Sequence, residues 1–180
     1  SATAGLHLSY MALSVNEKKK VITSPITFLS TSNAALYCNS LPLFSDIDLE
    51  TINLSPSKLE INLKKNKDIH CISPVHFAGL PANMKDINFL ANKYKLKIVE
   101  DAAHALGAKY NRLKNLKVGS CKYSDISTFS FHPVKIITTA EGGAALTNKL
   151  ELNERLKLFR NHGITRNKKI FKNKKFPKWY

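Results

Sequence analysis

The chain has 180 residues, 43% of them hydrophobic, and a formal net charge of +15, which suits one globular domain with a substantial core. It contains no apolar run of the roughly 20 residues that a membrane-spanning helix needs, and its start has neither the basic segment nor the apolar stretch of a signal peptide, so a cytoplasmic protein without a membrane partner is expected. Three widely separated cysteines, Cys38, Cys71 and Cys121, give neither a disulfide framework nor paired ligand spacing; reduced thiols and no metal site are expected.

Taken in order, residues 3–15 predict a helix of small apolar side chains, and 20–24 a short buried strand closed by Pro25. Residues 27–37 again read as helix, 41–46 as strand, and a short helix is expected from near Ser57, just after Pro56. Residues 69–75 form a clear strand. In 83–94 the apolar Met84, Ile87, Leu90 and Ala91 fall on one helix face, and the segment leads into a strand at 96–100, which makes a βαβ unit. Strands are expected at 126–131 and 143–147, with a helix over 151–161. The alternation predicts an α/β fold.

The positive charge is unevenly spread. Residues 149–180 carry eleven Lys and Arg against two Glu, so +9 of the +15 lies in that stretch. Lys and Asn are abundant along the whole chain, and a solvated basic face is the favoured reading over a dedicated polyanion site. No nucleic-acid partner is expected.

In open α/β sheets, functional groups collect beyond the carboxyl ends of parallel strands. Asp101 follows the strand ending at Val99 and Glu100, while Ser130, His132 and Lys135 lie at or past the end of the 126–131 strand, and His76 follows the 69–75 strand. Singly, an Asp after a strand reads as a helix cap, a loop Lys as solvated and a lone His as structural. The opening Ser1-Ala2-Thr3-Ala4-Gly5 adds small and hydroxyl residues at a helix start, where free N–H groups hold phosphate or a plain N-cap forms. A phosphate site, an acid and a lysine together belong to one cofactor.

These residues resemble the DegT/StrS group of sugar aminotransferases within the fold type I pyridoxal-phosphate enzymes. The likeness lies in Ser1–Leu6, Thr23–Phe28, Pro74–Gly79, Val99–Gly107, Phe129–Lys135, Glu141–Ala144 and Arg160–Gly163, in that order. Phe131-His132-Pro133-Val134-Lys135 and Glu141-Gly142-Gly143 are most similar to the transaminases of pseudaminic acid synthesis, which aminate the 4-keto group of a UDP-linked 6-deoxy-N-acetylhexosamine. The resemblance implies a three-layer, mostly parallel sheet of the seven-stranded type, the large domain of such enzymes. It implies pyridoxal 5'-phosphate carried by Lys135, which also serves as general base and acid. Asp101 would pair with the pyridine nitrogen, Thr3 and Ala4 would hold the phosphate at a helix start with Ser130 adding a hydroxyl, Phe28 would stack on the ring, and His104 would meet the ring hydroxyl.

Relatives with histidine at the lysine position dehydrate, so Lys135 implies amino transfer, with glutamate as the donor by family habit and a nucleotide-linked ketosugar as acceptor. Glu141-Gly142-Gly143 is read as a tight turn without ligand contact. Ala140 stands where the family commonly has Gly. The family is homodimeric when full length and extends beyond both ends of this chain. Residues 1–165 are therefore expected to be a large domain incomplete at its N-terminus, and 166–180 a basic segment beginning a C-terminal part, with the small C-terminal domain absent. A truncated fold that binds cofactor without turnover, and an aminotransferase for another 3- or 4-ketosugar, stay open as alternatives.

Overall fold

The computed structural model describes residues 1–111, 115–165 and 167, so the basic segment 166–180 lies, apart from Asn167, outside the described residues. The elements are α1 (Ala2–Ala12), β1 (Lys20–Thr23), α2 (Ser30–Tyr37), β2 (Pro42–Phe44), α3 (Pro56–Lys65), β3 (Ile69–Ser73), a 3₁₀ turn (Phe77–Gly79), α4 (Met84–Tyr94), β4 (Lys97–Asp101), β5 (Lys109–Asn111), β6 (Leu116–Lys117), β7 (Ile126–Ser130), β8 (Gly143–Leu146) and α5 (Leu150–Arg160).

Among the described residues the main sheet has six strands in the order β2-β1-β3-β4-β7-β8, parallel except for β8, which pairs antiparallel with β7. Successive side chains of a strand point to opposite faces. Val21, Cys71, Val99 and Ile126 accordingly pack against α1, α2 and α5 through Leu6, Tyr10, Ala34 and Leu152. Ile22, Ile72 and Ile98 go the other way, onto Leu59 and Leu63 of α3 and Ile87 and Leu90 of α4. This is the expected three-layer arrangement, and both faces of the parallel strands are covered as such sheets require.

The small residues of α1 are what let it lie close to the sheet. A Cβ on Gly5 would stand 2.6 Å from Thr128 Cγ2 of β7, and Ser9 turns its hydroxyl inward onto Gly5 O at 2.6 Å. At the far end of α1, Arg155 of α5 donates from Nη2 to Met11 O at 3.1 Å and to Ser14 Oγ at 2.7 Å, using a cation to satisfy a helix C-terminus.

Element boundaries differ from expectation for local reasons. Helix α2 starts at Ser30, later than residue 27, because Ser24 Oγ accepts from Ile26 N–H at 3.2 Å and folds the preceding segment into a turn. Strand β3 stops at Ser73 because Pro74 has no N–H for the ladder; its carbonyl still accepts from Asp101 N–H at 2.9 Å. The antiparallel ribbon of β5 and β6 was not expected from the sequence. No helix among the described residues is long and apolar enough to cross a membrane.

Candidate active site

The loops that leave the carboxyl ends of β1, β3, β4 and β7 meet the first turn of α1 around one cavity of about 480 Å³. Its lining includes Ser1, Ala2 and Thr3 from α1, Phe28 after β1, Phe77 and Ala78 after β3, Asp101 and His104 from β4 and its loop, and Ser130, His132 and Lys135 from β7 and its loop. Six of the seven residues to which the resemblance gives a cofactor role, Thr3, Phe28, Asp101, His104, Ser130 and Lys135, share one concavity with His132, while His76 does not line it. Ala4 does not line it; its N–H is engaged by Ser1 Oγ at 3.3 Å, while Ser1 and Ala2 lie at the rim instead.

Asp101 ends β4 and is 4% exposed. Its Oδ2 accepts from Thr31 Oγ1 at 2.6 Å and its Oδ1 from Ala103 N–H at 3.2 Å. Thr31 is itself fixed, since its hydroxyl lies 2.7 Å from that of Thr27 and its carbonyl accepts from Tyr10 Oη at 3.0 Å. Among the described residues no cation pairs with this carboxylate. A buried carboxylate facing a cavity without a counter-ion is unfavourable unless a cationic or proton-donating group enters the cavity. Sequence reasoning missed Thr31, because its link to Asp101 spans 70 residues of chain; the hydroxyls at 27 and 31, four residues apart, were the available signal.

Lys135 is carried on the loop between β7 and β8. That loop is closed by Phe131 N–H to Gly142 O at 2.9 Å and Thr139 N–H to Phe131 O at 3.0 Å, and Lys135 N–H bonds back to His132 O at 2.9 Å. The lysine Nζ donates to His104 Nε2. Partial burial and the neighbouring Lys135 hold the His104 imidazole below its ordinary pKa, so at neutral pH the ring is uncharged and able to accept. His132, also on the lining, has its Nε2 3.9 Å from Glu141 Oε1.

The first turn of α1 completes the rim. Helical N–H groups at this end lack intrahelical acceptors and carry the positive end of the helix dipole, which favours an anion. The glycine turn after the lysine loop sets its position: a Cβ on Gly143 would stand 2.6 Å from Ser1 C and 2.8 Å from both Ser1 O and Phe129 O. Gly143 therefore lets β8 approach the helix start, and no side chain of this turn lines the cavity.

Ala140 sits at φ 63°, the left-handed region that an L side chain adopts at a penalty. Ala140→Gly is expected to stabilise the chain by about 0.5 kcal/mol, the relief of strain offset in part by greater freedom of the unfolded chain. Thermal or denaturant unfolding checks it; a fall in stability would contradict the strain.

An acid for a protonated ring nitrogen, a lysine amine, an exposed aromatic face (Phe28 is 74% exposed) and an anion-binding helix start are the donor set that pyridoxal phosphate needs, and the residues present fit it. The comparisons agree with that chemistry. The DegT/DnrJ/EryC1/StrS aminotransferase family matches residues 1–177. A Campylobacter jejuni protein named UDP-4-amino-4,6-dideoxy-N-acetyl-beta-L-altrosamine transaminase is 48% identical over 167 residues, 92% of this chain and 43% of its own length. The Helicobacter pylori aminotransferase involved in the biosynthesis of pseudoaminic acid superposes with a TM-score of 0.81 at 35% identity, covering 98% of this chain and 44% of that one. A Bacillus subtilis protein solved with bound cofactor PMP gives 0.84 at 32% identity, over 98% of this chain and 38% of that one. The chain thus spans about two-fifths of the length of the relatives it matches. Both its three-layer sheet and its sequence motifs are those of fold type I enzymes, and the chain belongs to the DegT/DnrJ/EryC1/StrS aminotransferase family.

Proposed function

We propose that this chain is the cofactor-binding part of a pyridoxal-phosphate-dependent aminotransferase that moves an amino group from glutamate to a keto group of a nucleotide-linked deoxysugar. The observation that carries the reading is the meeting, in one cavity, of the Asp101 carboxylate, which has no cationic partner among the described residues, with the Lys135 amine and the start of α1. When bound, the cofactor supplies an electron sink through its pyridinium ring. Asp101, oriented by Thr31 and the Ala103 N–H, keeps the ring nitrogen protonated. The N–H groups of the first turn of α1, with Thr3 and Ser130, hold the phosphate. Phe28 offers its face to the ring.

Lys135 would hold the cofactor and, as general base and acid, would take up and return a proton at its Nζ, for which its amine must be uncharged for part of the cycle. His104 is the group able to accept that proton or a hydrogen bond from it. The likeness to the Campylobacter and Helicobacter enzymes supports a UDP-4-keto-6-deoxy-N-acetylhexosamine of the pseudaminic acid pathway as the acceptor. An apolar rim of Phe28, Leu29, Val134 and Ile136, all exposed, supports burial against a second subunit in a homodimer. Three free cysteines accord with a cytoplasmic setting.

The test is the visible spectrum of the chain after incubation with pyridoxal phosphate and removal of excess, followed by glutamate. A retained band that glutamate bleaches is the expected result. A retained band that glutamate leaves unchanged favours a binding fold without chemistry, and no band in a folded chain sinks the assignment of the cavity.

A further inference from the structure

Behind the cavity wall, on the α3 and α4 side of the sheet, lies a buried polar cluster that the roles above leave unused. Glu100 immediately precedes Asp101 on β4, so its carboxylate goes to the opposite face. The side chain is fully buried and accepts from four donors: His76 Nε2 at 2.7 Å and Tyr110 Oη on one oxygen, Ser127 Oγ at 2.6 Å and Ser124 Oγ on the other. Burial alone would raise the Glu100 pKa, but the hydrogen bond and electrostatic attraction of His76, with the hydrogen bonds from Ser124 and Ser127, outweigh it and hold the carboxyl below the usual range. The group is an anion at neutral pH.

Ala82 N–H donates to His76 Nδ1 at 3.1 Å, which leaves the ring proton on Nε2, where it is donated to Glu100. His76 is therefore a strut, 1% exposed, with both nitrogens engaged. It opens a turn with unusual backbone: Ala78 has φ 49° and Gly79 has φ 86°. A Cβ on Gly79 would stand 2.8 Å from His104 O, so the turn rests against the backbone of the residue that meets Lys135. Asn53 clamps the other side, accepting from Phe77 N–H at 3.0 Å and donating to Leu80 O at 3.1 Å. Phe77 and Ala78 line the cavity. An alanine keeps a left-handed conformation only where its surroundings hold it.

We infer that Glu100, acting through His76, is a positioning residue that holds the 77–79 turn against the cavity and so fixes the wall that a bound cofactor meets. The inference rests on the reading of the cavity given above. Two measurements test it: amide hydrogen exchange at Phe77, Gly79 and Leu80 in the cofactor-free chain, and the Kd for pyridoxal phosphate. The variants are His76→Leu, Glu100→Gln, Tyr110→Phe and His76→Gln, each compared at matched folded fraction.

His76→Leu and Glu100→Gln are expected to speed exchange at the turn and to weaken cofactor binding, each about tenfold, as small misplacements of a binding wall do. Tyr110→Phe removes a donor from the same carboxylate oxygen without touching the turn and is expected to leave both within about twofold, while His76→Gln, able to donate to Glu100 and accept from Ala82, recovers most of the loss. Unchanged exchange in His76→Leu overturns the inference. So does a Tyr110→Phe effect as large as that of His76→Leu, which would reduce the cluster to general core stability. Should Glu100→Gln fail to fold, the two His76 variants decide. A parent chain that takes up no cofactor sinks the reading of the cavity instead, and the exchange rates alone then judge the strut.

Discussion

Lys135→Ala is expected to abolish the lysine-bound cofactor band and, in the full-length enzyme, to lower amino transfer by at least about 10³-fold, the part owed to general acid–base catalysis alone. The size follows from how few groups replace the amine. Among the titratable side chains on the cavity lining, Asp101 is committed to Thr31 and the Ala103 N–H, and His132 lies against Glu141. His104, the remaining candidate, is uncharged at neutral pH and able to accept a proton, so a residual slow rate is to be expected from it. Folding should hardly change, because Lys135 is half-exposed on a loop whose closing bonds are made by backbone groups. The check is single-turnover amination with glutamate beside the spectrum. A variant that keeps the band places the attachment elsewhere. One that loses the band but keeps the parent rate removes Lys135 from the chemistry.

The spacing of these groups was legible in the sequence because the physics that places them is local. Asp101 and Ser130 each close a short strand rich in β-branched and apolar residues, with Lys135 five residues beyond Ser130, and a parallel strand buried on both faces delivers whatever follows it to the same edge of the sheet. The order of buried Val21 and Ile22, or Ile98 and Val99, facing opposite layers is likewise a period-of-two signal. What the sequence did not disclose depends on contacts between distant segments. Strands β5 and β6 are only three and two residues long, and a run such as Lys109-Tyr110-Asn111 has no apolar alternation to mark it. Thr31 reads as an ordinary helix residue until the fold sets it against Asp101. Glu100 stands in the sequence only as the strand residue before Asp101, and its burial is made tolerable by His76, Tyr110 and the Ser124/Ser127 pair arriving from three separate segments. The glycine turn was read as tight backbone without ligand contact, and its actual partner, the carbonyl of Ser1, lies more than 140 residues away in sequence.

That partner makes Gly143→Ala the sharpest test of the fold around the cavity. A single methyl group there would meet Ser1 C at 2.6 Å and the carbonyl oxygens of Ser1 and Phe129 at 2.8 Å. All three are backbone atoms, so no rotamer change relieves the contact, and Phe129 is anchored in β7 by its antiparallel pairing with β8. The start of α1 must therefore move away from β8. Overpacking of this kind destabilises by about 1–3 kcal/mol, which denaturant unfolding should show as a lower midpoint with an unchanged slope. The same displacement carries the first turn of α1 off the cavity rim, so the affinity for pyridoxal phosphate should fall by about tenfold or more. The paired comparison with Ala140→Gly isolates the cause, because two substitutions three residues apart, one in the loop and one at the first residue of β8, exchange the same two residue types with opposite expected signs. Strain in φ predicts a gain at 140, and collision with Ser1 predicts a loss at 143. If Gly143→Ala melts and binds as the parent does, then α1 is not seated on β8, and the helix start does not form the anion site.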